Sequence, residues 1–262
     1  MLEVCSLWVG GEIPPHLAAC IESFVSKGHP FTLYAYGNAD APKGVTRADG
    51  EDILGLTFAK EFLKARKFSQ LSNYFRYELL AKRPGVCWVD VDMYCLRPLN
   101  AAPYIFGWED ESSINGAVLA VPPDSELLAS LRAMFLNPNF VAPWLTMPRR
   151  VKAHWAAAKG APLSRSEYRW GTFGPKALTW FIRELQLQDH ARPVEYFYPM
   201  HYTNIDLLFD ADVDWNSGTL GQARTLHLWN EKLRTRPELA TPPAGSFLWR
   251  LLREDRFADI AA

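Results

Sequence analysis

The stretch from Ser69 to Leu99, SQLSNYFRYELLAKRPGVCWVDVDMYCLRPL, constrains this chain more than any other. Leu71, Phe75, Leu79 and Leu80 recur about every three to four residues, with Asn73, Arg76 and Lys82 between them, and this spacing predicts a helix. Ser69 or Ser72 is expected to cap its start. Pro84-Gly85 ends it, because proline breaks the hydrogen-bond ladder and glycine permits the turn. Val86, Cys87, Trp88 and Val89 then form a short unbroken apolar run of the kind a buried strand requires. Asp90 and Asp92 stand where that run ends.

In extended backbone two side chains at i and i+2 point the same way, so Asp90 and Asp92 are expected on one side with Val91 on the other. Carboxylates held that close repel unless a proton or a cation lies between them. Hard carboxylate oxygens suit Mg2+ or Mn2+, which complete their shells with water and substrate phosphates. The pattern therefore admits two readings: a metal-assisted site for a nucleoside diphosphate, or ordinary solvated acids at a strand end.

The run Ser72-Asn73-Tyr74-Phe75-Arg76-Tyr77-Glu78-Leu79-Leu80, followed by Gly85-Val86-Cys87-Trp88-Val89-Asp90-Val91-Asp92, resembles the D-x-D core of GT-A glycosyltransferases. The resemblance is to the retaining group with an S-D-x-x-R-Y helix, which includes initiating mannosyltransferases, α-1,4-galactosyltransferases and large clostridial toxins. It implies that Asn73 and Arg76 contact a sugar nucleotide and that Asp90 and Asp92 hold the nucleotide and its metal. Asn73 stands where the family has Asp, so it brings no charge, and Arg83-Pro84-Gly85 replaces a Gly-Gly turn.

The 262 residues suit one α/β domain, with 138–170 expected as an insertion on the acceptor side. An apolar fraction of 48% is ample for a core, and a net charge of -1 argues against an electrostatic nucleic-acid binder. Cys5, Cys20, Cys87 and Cys95 form no C-x-x-C pair, so buried reduced thiols are expected. Acidic Glu3 and a strand-like opening do not make a signal peptide, and no apolar run approaches the ~20 residues of a membrane span. A cytoplasmic protein is expected, with contact to the inner membrane surface.

Leu2 to Val9 reads as the first strand, ending at Gly10-Gly11, which is not a dinucleotide fingerprint. The resemblance makes Trp8 and Val9 candidates for contact with the nucleotide base; Trp8 serves equally well as a core residue. A helix follows Pro14-Pro15 through Val25, then a strand from Phe31 to Tyr36, so the opening implies parallel pairing. Gly37 to Gly50 reads as loop and Phe58 to Arg66 as a short helix. Beyond the two acids, short strands are expected at Tyr94 to Leu99 and Tyr104 to Trp108, an acidic loop at Glu109-Asp110-Glu111, and a strand from Ser113 to Val121. Asn115-Gly116 is similar to the N-x-A strand that faces the donor sugar in GT-A enzymes; a hairpin corner is the other reading. Asn115 is therefore a catalytic candidate beside Asp90 and Asp92; the acidic triplet is a candidate for a sugar's hydroxyls, with Glu111 named for the sugar face, or else a solvated charge run.

Asp124 is expected to cap a helix running to Phe135. The span Pro138 to Arg169 is irregular and basic, with Arg149, Arg150, Lys152, Lys159, Arg165 and Arg169 beside Trp144, Met147 and Trp155. It is expected to govern the acceptor, or to meet an anionic glycan or membrane surface. Trp170-Gly-Thr-Phe-Gly-Pro175 resembles the family's T-G-P segment, which implies acceptor-side roles for Gly171, Thr172 and Gly174. Ala223 to Asn230 reads as a strand whose His227-Leu-Trp229 resembles the H-x-W segment that closes over the nucleotide. That resemblance implies His227 as a metal ligand, which favours manganese, with Trp229 bordering the acceptor and Asn230 or Lys232 near the diphosphate. A helix from Phe247 to Phe257 either docks on the core or lies on a bilayer.

Together these readings anticipate a GT-A (Rossmann-like) mostly parallel sheet with helices on both faces and a small irregular helical lobe on the acceptor side. The implied chemistry moves a hexose from a nucleotide-diphosphate sugar, with UDP-hexose foremost, to a glycan or glycolipid hydroxyl, with Mn2+ or Mg2+, retention of configuration and a place in polysaccharide biosynthesis. Competing readings are a HAD-like phosphatase or phosphotransferase, which also follows an apolar strand with D-x-D, and a catalytically inactive glycan-binding domain. A glycosidase fits poorly, because its two carboxylates stand ~5–9 Å apart across a sugar.

Overall fold

A computed structural model describes residues 1–215 and 220–253. The strands, numbered in chain order, are β1 (Glu3–Val9), β2 (Phe31–Tyr36), β3 (Thr46–Asp49), β4 (Val86–Val89), β5 (Met93–Cys95), β6 (Ile105–Trp108), β7 (Ile114–Ala120) and β8 (Thr225–His227). The helices are α1 (Pro15–Ser26), α2 (Leu56–Lys64), α3 (Phe68–Lys82), α4 (Glu126–Leu136), α5 (Met147–Ala158), α6 (Pro175–Glu184), α7 (Val194–Phe197), α8 (Asn230–Leu233) and α9 (Phe247–Leu251).

Six strands make one sheet in the order β3-β2-β1-β4-β7-β6. β1 pairs in parallel with β2 and with β4, and β2 with β3. β7 runs antiparallel to both β4 and β6. The expected mostly parallel α/β sheet is therefore present. Alternate residues of β4 explain the layering: Val86 and Trp88 join a core with α3, α4 and α6, whereas Cys87 and Val89 join α1 on the other face. A third cluster packs α9 and β8 against Cys20 and Tyr94. The four cysteines are free and buried, as expected.

Several local expectations are corrected. Neither Ser69 nor Ser72 caps α3; Lys67 occupies that position without a capping bond, and both serines lie inside the helix. Ser125, not Asp124, caps α4, its hydroxyl accepting from the Leu128 N–H at 3.2 Å. The loop read over 37–50 contains edge strand β3, whose Thr-Arg-Ala-Asp sequence carries no apolar run because it is largely exposed. The strand expected to Leu99 is only β5, which leaves the main sheet and pairs antiparallel with β8. Asn115-Gly116 lies within β7; the reversal is at Glu109–Ser113, where Asp110 Oδ1 accepts from the Ser112 and Ser113 amides at 2.7 and 2.8 Å. Phe247, Leu248 and Leu251 are buried, so α9 docks on the core, and Arg256 and Phe257 lie outside the described residues. Among the described residues no helix is long and apolar enough to cross a membrane.

His29 locks the start of the sheet to the chain beyond β5. Its Nδ1 donates to the Leu2 carbonyl at 2.8 Å and its Nε2 accepts from the Leu99 amide at 2.9 Å, an arrangement that only the neutral ring satisfies. Burial lowers its pKa from the ordinary 6.5, against the pull of the Leu2 bond. The unfolded chain thus takes up a proton that the fold refuses, and stability falls as pH drops below about 6.5. Nitrogen-detected NMR should show a neutral Nδ1–H tautomer at pH 6, and His29→Gln should remove that part of the acid destabilisation.

Candidate functional site

The sheet brings the predicted residues to the carboxyl edge of β4, the usual position for a ligand site in an open α/β sheet. β4 stops at Val89, and the Met93 amide donates to the Asp90 carbonyl at 3.0 Å, so Asp90-Val91-Asp92 forms a turn. The extended geometry expected for the two acids is absent. Their side chains take separate partners instead.

Asp90 is fixed by the layer beneath it. Its Oδ1 accepts from Arg76 Nη2 at 2.8 Å and from the Trp88 indole at 2.7 Å. The nearly buried Arg76 guanidinium also donates to the Gly116 carbonyl and to Ser72 Oγ at 3.2 Å, and lies over the Trp88 ring at 4.9 Å. Gly116 is required at this point: a Cβ there would stand 2.7 Å from Arg76 Nη1. Arg76 therefore ties α3, the end of β4 and β7 together, and acts at the site through Asp90.

Asp92 turns toward the short sheet. Its Oδ2 stands 3.3 Å from His227 Nε2 and accepts the Asn230 amide at 2.8 Å, while its carbonyl accepts the Leu228 amide at 2.9 Å. His227 is buried, and its Nδ1 has no hydrogen-bond partner among the described residues. Burial opposes charge on the ring, but Asp92, with Asp90 and Glu109 behind it, holds the imidazole pKa above its ordinary value. Burial likewise opposes charge on Asp92, and His227 holds that carboxyl below the usual range. Trp229, read as an acceptor-side residue, stacks on His227 with centroids 3.8 Å apart, and its indole donates to the Met200 carbonyl at 2.9 Å. It does so with φ of 53°, a left-handed conformation that costs a non-glycine residue on the order of 1 kcal/mol.

Asn115 bridges to Glu109, the first acid of the triplet that the sequence offered to sugar hydroxyls. Its Nδ2 donates to Glu109 Oε2 at 2.9 Å and its Oδ1 accepts the Ala117 amide at 2.8 Å. Burial raises the Glu109 pKa, opposed by His227 and the Asn115 bond. Glu111, the member of the acidic triplet named from sequence, is exposed at the turn. His16, at the start of α1, meets the Asn230 side chain at 2.9 Å, and burial lowers its pKa. The Tyr198 hydroxyl donates to the Asn115 carbonyl at 3.3 Å.

The remaining candidates occupy the rim. Trp8 and Val9 end β1, beside β4, and the Trp8 indole donates to the Gly11 carbonyl at 2.7 Å. Lys232 is exposed, with its ammonium 5.9 Å from the Tyr202 ring centroid. Asn73, on the α3 face, packs against the turn before α6: a Cβ on Gly174 would stand 2.8 Å from Asn73 Nδ2. Gly171, Thr172 and Gly174 are buried in that turn, where the Thr172 carbonyl accepts the Trp144 indole at 2.9 Å.

No protein-family model and no curated protein matches this chain. Among solved structures it is similar to one described as PaToxG Glycosyltransferase, at 11% identity and a TM-score of 0.49, over 71% of this chain and 70% of that one. A likeness that loose carries no weight for the chemistry.

The geometry itself gathers carboxylates at Asp90, Asp92 and Glu109 near a buried imidazole, each acid held by a donor. Asp92 and His227 present a hard oxygen and a borderline nitrogen to one point, a pair that fits Mn2+. Among the described residues no three His, Cys, Asp or Glu side chains form a metal-binding group. A divalent ion here would take its other ligands from water and a diphosphate. His16 and Tyr198 carried no signal in the sequence, because isolated residues on a helix start and after a four-residue helix match no spacing rule.

Arg76→Met should test the junction under Asp90. The change strands a carboxylate whose side chain is 28% exposed and leaves the Gly116 carbonyl unpaired. Chemical denaturation should show a loss of about 3 kcal/mol, with Arg76→Lys recovering only part because one ammonium does not span Asp90, Ser72 and Gly116.

Proposed function

We propose that this protein is a metal-dependent glycosyltransferase that moves a hexose from a nucleotide-diphosphate sugar to a glycan or glycolipid hydroxyl. The observation that carries this reading is the convergence of Asp92 and His227 at the carboxyl edge of the sheet, beside an Asp90 that Arg76 holds in place. The donor is a UDP-hexose, the metal is Mn2+ in preference to Mg2+, and the anomeric configuration is retained. The sequence resemblance supports the donor and the stereochemistry.

Asp92 Oδ2 and His227 Nε2 would hold the ion, which supplies positive charge for the departing diphosphate. Asp90, held by Arg76 through Oδ1, binds the donor from the opposite side of the turn and offers its second oxygen to ribose or water. The Trp229 ring, pressed on His227, fixes the imidazole plane and keeps water from it. Trp8 and Val9 border the base, and Asn73 hydrogen-bonds the donor as a neutral group. Asn115 and Glu109 face the sugar, where Glu109 orients a hydroxyl. Gly171, Thr172 and Gly174 border the acceptor, and Lys232 meets the diphosphate from the rim.

A HAD-type phosphatase reading is disfavoured physically, because Asp90 Oδ1 already accepts two hydrogen bonds and the acid follows the fourth strand. A non-catalytic glycan-binding domain is favoured by one observation, that no third metal-ligating side chain joins Asp92 and His227 among the described residues.

Thermal shift separates these readings. UDP with Mn2+ should raise the melting temperature, by about 2.7 kcal/mol of stabilisation at a hundredfold excess over the dissociation constant, whereas UDP with EDTA should not. His227→Gln and Asp92→Asn should each abolish the manganese-dependent part. Equal shifts with and without metal would sink the metal site; metal-dependent binding without UDP release from any UDP-hexose would leave the glycan-binding reading.

A further inference from the structure

Helix α5 is joined to the molecule unusually lightly. Of its twelve residues only Ala153 is buried. Met147, Val151 and Trp155 are 61%, 58% and 62% exposed, and four-residue spacing puts them on one face. By the same helical geometry Arg150 flanks that face on one side and Lys152 and Lys159 on the other, with the Lys159 ammonium 3.5 Å from the Trp155 ring centroid. Trp170, 74% exposed, adds a further indole nearby in the chain. Water is a poor partner for three large apolar side chains in a row, and burying them inward is what a core helix would do.

The surrounding charge has one sign. From residue 127 to residue 166 the chain contains no Asp or Glu, although it carries a net charge of -1 overall. Beside α5 a cavity of about 220 Å³ is lined by Trp144, Thr146, Arg149, Arg169, Trp170 and Lys176. Among the described residues none of Arg149, Arg169 and Lys176 forms an ion pair.

We propose that α5 forms a docking face for an anionic bilayer, with Met147, Val151 and Trp155 entering the acyl boundary and lipid phosphates meeting Arg150, Lys152 and Lys159 at its margins; Arg149, four residues before the buried Ala153, faces the cavity instead. An interfacial helix needs an apolar face bounded by Lys and Arg, which is the arrangement found. Charge selects the occupant. A second copy docking through the same face would set its cations against their own kind. A polynucleotide would satisfy the cations but leave Met147 and Val151 wet. A bilayer with acidic headgroups provides both an anionic plane and an apolar interior. The face lies next to the Gly171–Gly174 turn that touches Asn73, so docking would bring the sheet's carboxyl edge close to the membrane.

The test is co-sedimentation of the whole protein with vesicles of phosphatidylcholine alone or mixed with phosphatidylglycerol. Binding should require the anionic lipid, weaken when added salt shortens the Debye length to ~3 Å, and quench tryptophan emission with bromine-labelled acyl chains. Met147→Ser/Val151→Ser/Trp155→Ser, confined to exposed side chains, should abolish quenching while leaving the circular dichroism unchanged. Lys152→Glu/Lys159→Glu should weaken binding by about fivefold or more per cation, and Lys43→Glu, on another surface, should not. Binding that ignored lipid charge, survived the triple substitution, or was missing altogether would overturn the proposal. So would concentration-dependent dimerisation lost in the same triple variant, which would assign the face to a second copy.

Discussion

The contact on which the site depends is the ion pair between Arg76 and Asp90. A guanidinium this buried is tolerated only when its N–H groups are used, and here they reach a carboxylate, a hydroxyl and a backbone carbonyl while the plane rests on Trp88. Those partners come from α3, β4 and β7, so one side chain sets the spacing of three elements. Gly116 makes the approach feasible, since any side chain there would displace the guanidinium.

A second junction sits across the turn. Asp92 joins β5 and β8 to the main sheet through the Leu228 and Asn230 amides and through His227. The left-handed backbone at Trp229 belongs to the same junction: it turns the indole back onto His227 and lets the Asn230 amide face Asp92. The two acids, two residues apart, thus serve different layers. Asp90 is fixed from below by the main sheet and α3, whereas Asp92 is fixed by a segment more than a hundred residues away. A ligand lying across the turn would touch both layers, and this lets a small fold present charge from two directions.

The site and the α5 surface show opposite solutions to the same cost. At the site every carboxylate is matched by a donor, and the apolar groups are packed. On α5 neither condition holds: among the described residues its cations form no ion pair, and Met147, Val151 and Trp155 stand in water. Two departures of opposite kind on one surface are more informative than either alone, because one environment, an acidic bilayer, removes both.

Local pattern alone determined the helix, turn and buried strand of 68–89, the strand at Phe31–Tyr36 and the mostly parallel sheet, because each depends on apolar spacing that survives in a single segment. The resemblance to GT-A enzymes, and not spacing, singled out Arg76, Asn115 and His227, whereas Asp90 and Asp92 stood out as two acids closing an apolar run. Edge strand β3 escaped notice because an exposed strand needs no apolar run. Only the tertiary structure decided that Asp90-Val91-Asp92 turns instead of extending, that Glu109 and not Glu111 meets Asn115, that His16 meets Asn230 and that Trp229 stacks on His227. Those facts depend on which distant segments come into register. A backbone amide at Asn230 or a carbonyl at Gly116 has no sequence signature, and it is such groups that choose where each carboxylate points.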